Sequence, residues 1–72
     1  MQVKTKAEFT MTATIPSPVT VGNRVMLFTD KDMIQTSAVC GILYQDSVGI
    51  RFETKNSIYN IQYDERQASL SH

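Results

Sequence analysis

The chain has no tryptophan, a single cysteine, three glycines and two prolines, and its seven basic and seven acidic residues cancel. Each shortage removes a class of protein. One cysteine forbids an intramolecular disulfide, and with a single histidine at the far end there is no Cys/His cluster to hold a structural metal. The zero net charge argues against binding duplex nucleic acid through its phosphates, which calls for a basic surplus. No apolar run approaches the length of a transmembrane helix, and MQVKTKAEF at the start lacks the apolar core of a signal peptide. An unpaired Cys40 in such a chain leads to the expectation of a reducing, cytoplasmic setting and no membrane partner.

What the chain does have is alternation. In residues 47–54, Val48, Ile50 and Phe52 alternate with Gly49, Arg51 and Glu53, the period of a strand with one dry face and one wet face. A polar break, Thr54-Lys55-Asn56-Ser57, follows, in which Asn56 is expected to supply a left-handed turn position. The chain returns over 57–63, with Tyr59, Ile61 and Tyr63 on one face. A one-residue slip would expose Phe52 and Ile61, so the register of this hairpin is strongly specified.

Earlier in the chain, Phe9, Met11, Ala13 and Ile15 alternate with three threonines, predicting a strand over 8–15 that Pro16 and Pro18 end. Gly22-Asn23 signals a turn or bulge. A strand over 24–29 is apolar on both faces. The Asp30-Lys31-Asp32 triplet lacks the glycine and distal glutamate of a calcium loop. The longest predicted strand is 34–44, in which Gly41 suggests a bend and Cys40 reads as a small core residue. Gln45-Asp46 connects it to the hairpin. The tail, 64–72, has no period and is expected to be a helical turn or disordered.

Five short antiparallel strands with tight turns in one small domain over 1–72 predict an all-β, half-closed or closed barrel. The segment VTVGNRVMLF resembles the opening of SH3-like barrels, and the loop, long strand and two hairpins then follow in the order of that fold. Thr36-Ser37-Ala38-Val39 taken with residues 52–59 also resembles short proteins of bacteria, phages and mobile elements. The similarity covers residues 19–63. It implies an SH3-like barrel and a binding rather than catalytic habit, as in an adaptor or inhibitor encoded by a phage or mobile element.

The residues themselves offer no catalytic constellation, cofactor motif or metal-ligand spacing, so no enzyme activity, cofactor or metal is expected. The leading expectation is a module that docks on a protein partner. The alternative is a barrel that captures a nucleotide or single-stranded nucleic acid through Arg51, Tyr59 and the 54–57 turn. Thr36, Ser37, Thr54, Asn56 and Ser57 are the candidate polar contacts, and backbone turn chemistry is the competing role for each. A chain this short gains from self-association. Phe9, Met11, Ala13 and Ile15 are the candidate homo-oligomer interface, with the strand either donated to another protomer or closing its own barrel.

Overall fold

A computed structural model describes residues 6–65. The expectations for the N-terminal residues before 6 and for most of the 64–72 tail lie outside the described residues. The described chain is all-β, in six strands: β1 (Ala7–Ala13), β2 (Met26–Phe28), β3 (Met33–Gln35), β4 (Val39–Gln45), β5 (Gly49–Thr54) and β6 (Ser57–Tyr63). Four of them form one sheet in the order β1-β6-β5-β4, and β2 and β3 form a separate hairpin sheet. No helix among the described residues is long and apolar enough to cross a membrane.

The β5–β6 hairpin forms in the register that the alternation demands, with Ile50 opposite Ile61 and Phe52 opposite Tyr59. Ile50, Phe52 and Ile61 are buried on one face while Arg51 is exposed on the other. The hairpin turns without a left-handed Asn56, because no residue other than Gly22 among those described has a positive φ. Val48 belongs to the turn rather than the strand and is 64% exposed. Gly22, at φ 95°, closes the turn that Val39 caps: the Gly22 amide donates to the Val39 carbonyl and the Val39 amide to the Asn23 carbonyl.

The structure corrects further expectations. The 34–44 strand is two strands: the Thr36 amide still donates to the Val25 carbonyl, one rung beyond Met26–Gln35, but the Val25 amide donates to the Thr36 hydroxyl instead of its carbonyl, and the regular ladder stops there. Cys40 is exposed, not in the core. The β4–β5 register slips between Val39 and Gly41 and again between Ile42 and Tyr44, so Cys40 and Leu43 are bulge residues pushed out of alternation. Finally, no closed barrel forms among the described residues, and β1 runs parallel to β6 rather than antiparallel. The joint between the two sheets is one antiparallel bridge, Thr14 to Phe28. Beyond it Thr29 turns the chain away, its amide donating to the Asp32 carbonyl and its hydroxyl oxygen accepting from the Asp32 amide, so β2 is too short to line the rest of β1.

The core lies between the two sheets: Ala13, Ile15, Val39, Ile50, Phe52 and Ile61 pack with Val25 and Leu27. Fully burying a side chain such as Phe52 or Leu27 stabilises the fold by roughly 1.5–3 kcal/mol. An aromatic ladder runs outward from it. Phe52 stacks on Tyr59 at 5.2 Å and Tyr59 on Phe9 at 5.4 Å, ending in a Phe9 that is 43% exposed.

Candidate functional site

The sequence candidates separate into structural residues and surface residues. Thr36 is buried, and its hydroxyl accepts from the Val25 amide at 3.0 Å and donates to the Ser37 carbonyl at 2.7 Å. Thr54 is also buried, with its hydroxyl directed at the Ser57 carbonyl. Both threonines therefore complete turns and are closed to a ligand. Ser37 and Asn56 are exposed, and the Asn56 carbonyl accepts from the Ala7 amide, tying the hairpin turn to the start of β1. Val39 pairs with Thr54, so Ser37 and the 54–57 turn do sit at the same end of the sheet.

Arg51 and Tyr59 do not converge. Tyr59 faces inward, half-buried between Phe9 and Phe52, whereas Arg51 stands on the outer face opposite Asn60. The nucleotide site composed of Arg51, Tyr59 and the 54–57 turn is thus split across the two faces of one sheet. The proposed oligomer residues also divide: Ala13 and Ile15 are buried in the chain's own core, Met11 is half-buried against it, and Phe9 is 43% exposed.

The groove that does form lies on the outer face around the β4–β5 hairpin. It encloses about 480 Å³ and is lined among others by Thr10, Tyr44, Val48, Arg51, Asn60 and Gln62. The register explains the grouping, since Tyr44 pairs with Arg51, Arg51 with Asn60 and Asn60 with Thr10 across four strands. Gly49 sits at its base, where β5 comes so close to β6 that a Cβ would collide with the Ile61 carbonyl. A second cleft of about 740 Å³ opens on the other side of the hairpin, between Pro16, Pro18 and Val19 and the acidic Asp46, Asp64 and Glu65.

The hairpin between the two hollows is well organised. One Asp46 carboxylate oxygen accepts from the Val48 and Gly49 amides at 2.9 Å each, and the other accepts from the Tyr44 hydroxyl at 2.5 Å. The bond to Asp46 and the charge it faces hold the Tyr44 phenol above its ordinary value. The same bond, with that from the Val48 amide, holds the Asp46 carboxyl below its own. Arg51 reaches Glu8 only at 3.9 Å, so its guanidinium is weakly engaged. Tyr44, in the groove, is 59% exposed, and Leu43, the bulge residue before it, is 48% exposed; Ile42, 38% exposed, pairs with Phe52 and so belongs to the inner face.

Within this set the sequence marks Arg51, by its charge on a wet face, and Tyr44, as one of the aromatics of the barrel segment. Val48 falls within the strand alternation, and nothing local distinguishes Leu43 from a core position until the bulge re-aims it. The arrangement offers apolar contact, one cation and two side-chain amides, which is recognition chemistry. Among the described residues no group of three or more His, Cys, Asp or Glu side chains could hold a metal ion. No family model, no curated protein and no solved structure matches the chain.

Proposed function

We propose that the protein is a non-enzymatic binding module that docks on a protein partner through the β4–β5 hairpin and the outer face beside it. The observation that carries this reading is the exposure of Tyr44 and Val48, which line the outer-face groove together with Arg51. Large apolar side chains grouped on a surface and rimmed by polar residues mark interaction sites. Tyrosine and arginine are the residue types that most often dominate binding energy. In this reading Tyr44 and Val48 are the apolar anchors and Arg51 pairs with a carboxylate of the partner. Asp46, by fixing the hairpin in advance, reduces the ordering lost on docking. An adaptor or an inhibitor of the partner is the role that such a module would fill.

The test is capture from a host lysate with the wild type and with a Val48→Asp, Tyr44→Ala double variant. Both positions are exposed, so the variant keeps the fold. A partner retained by the wild type and lost by the variant supports the reading, and the hairpin amides of the recovered complex then show reduced hydrogen exchange. Capture that is indifferent to both substitutions refutes the site. An oligonucleotide titration at low salt is the companion measurement, since tight, steeply salt-dependent binding would replace the protein partner with a nucleic acid.

A further inference from the structure

Among the described residues, β1 has one open backbone edge, and its orientation can be read from four hydrogen bonds. The Ala7 amide donates to the Asn56 carbonyl and the Asp64 amide donates to the Ala13 carbonyl. Ala7, Phe9, Met11 and Ala13 therefore turn their backbone groups toward β6. Successive residues of a strand point these groups to opposite sides, so Glu8, Thr10 and Thr12 turn theirs outward. Thr14 confirms the phase, exchanging outward bonds with Phe28 at 2.8 and 2.9 Å. No strand among the described residues pairs with that side of β1 before Thr14.

The two free edges of the sheet differ in kind. β4 is kinked by bulges at Cys40 and Leu43, a common way to blunt an edge. β1 keeps an unbroken register with β6 from Ala7 to Ala13 and contains neither proline nor glycine. It is the edge that can accept another strand.

We propose that β1 accepts β1 of a second copy, antiparallel, about a two-fold axis through Thr10. The register is set by the residues whose backbone groups are free: Glu8 faces Thr12 of the second copy, Thr10 faces its own symmetry mate, and Thr12 faces Glu8. Phe9 then lies opposite Met11 of the second copy on the apolar face, and the contact repeats across the axis as an isologous interface requires. That covers the exposed end of the aromatic ladder. Glu8 is the only charged residue of the strand and meets a threonine, so no like charges are brought together. This self-complementarity points to a second copy rather than to an unrelated extended peptide. β1 keeps its place beside β6 throughout, so no segment is exchanged. The contact adjoins the outer-face groove at Thr10, which lines that groove, but it is carried by the backbone edge of β1 and stands whether or not the β4–β5 hairpin binds a partner. A contact along a single strand edge falls below the roughly 1,200 Å² of a stable complex, so the dimer is weak and concentration-dependent.

The experiment is sedimentation velocity of the full chain over a concentration series, combined with cysteine cross-linking. The wild type is expected to shift from monomer to dimer in the micromolar to millimolar range, and a monomer throughout overturns the proposal. Thr10→Lys sets two cations against each other at the axis and is expected to weaken dimerisation at least tenfold at low salt, while circular dichroism stays unchanged. Undiminished association of that variant overturns the proposal. In a Cys40→Ser background, Thr10→Cys is expected to cross-link under mild oxidation, because a directly opposed pair has a Cα separation of about 5.5 Å. Thr12→Cys, which faces Glu8, is expected to cross-link far more slowly. Equal cross-linking at the two positions, or none at Thr10, overturns the register whatever the lysine variant does.

Discussion

Thr36 and Val25 hold each other twice: the Thr36 amide donates to the Val25 carbonyl at 2.9 Å, and the Val25 amide donates to the Thr36 hydroxyl oxygen at 3.0 Å. Replacing Thr36 with valine keeps the shape and removes the second bond. The Val25 amide and the Ser37 carbonyl are then left short of a partner beside the core. The expected loss is about 1–3 kcal/mol, read as a lower urea midpoint with unchanged slope. A midpoint equal to that of the wild type would mean that water replaces the hydroxyl there.

Glycine is required at one strand position and tolerated at another. A Cβ at Gly49 would run into the backbone carbonyl of Ile61, which cannot rotate away. Gly49→Ala is therefore expected to cost about 1–3 kcal/mol or more by forcing β5 from β6. A Cβ at Gly41 meets only the Glu53 carboxylate oxygen at 3.8 Å. Gly41→Ala is expected to be neutral or to stabilise by up to about 1 kcal/mol through the unfolded chain. Thermal melts of the pair check the contrast, and equal effects would contradict the strand spacing.

The aromatic ladder should show a gradient. Phe52 is fully buried and Phe9 is 43% exposed. Phe52→Ala is expected to cost about 3–5 kcal/mol, enough to unfold a domain of this size at room temperature. Phe9→Ala is expected to leave a folded protein with a modestly lower melting temperature. Circular dichroism of the two variants decides it, and a folded Phe52→Ala would place the core elsewhere.

The Tyr44–Asp46 pair gives a pH signature at the hairpin. The folded Asp46 carboxyl titrates below its ordinary 3.8, so the bond's stabilisation is complete above that pH and is lost as the pH falls through the lowered value. The Tyr44 phenol titrates above its ordinary 10.0, so its share is complete below pH 10 and is lost as the pH rises through the raised value. In Tyr44→Phe the Asp46 midpoint is expected to move up toward 3.8, as followed by carboxyl NMR shifts. A midpoint that does not move would show the hydroxyl turned to water.

Strands with one dry face are legible in the sequence. The β5–β6 hairpin and the face of β1 follow from alternation alone, because burying Phe52, Ile61 and Ala13 leaves a single register. Thr36 and Ser37 interrupt the apolar run of 34–44, but the interruption alone does not mark a boundary between two strands. A threonine inside an apolar run reads as strand until its hydroxyl is seen to serve a distant amide. The exposure of Cys40 and Leu43 depends on bulges that shift them out of alternation, and their neighbours Val39 and Ile42 carry no mark of this. The candidate groove joins residues from four strands; in the sequence Arg51 is marked by charge on a wet face and Tyr44 as an aromatic, and nothing there says that the two are neighbours. The parallel β1–β6 pairing was hidden for a topological reason, since no local pattern states which distant strand a segment will join.

That pairing has a consequence for how the molecule is made. Ala7 lies beside Ser57, 50 positions later in the chain, and every rung from there to Ala13 and Tyr63 spans the same separation. Contacts so far apart in sequence form late, after the costs of closing the loop have been met. A chain emerging from the ribosome can complete the β2–β3 and β4–β5 hairpins while β1 still waits without a neighbour. Until β6 follows, the threonine-faced strand has both backbone edges free, and its Phe9 and Met11 are open to whatever lies near the tunnel exit.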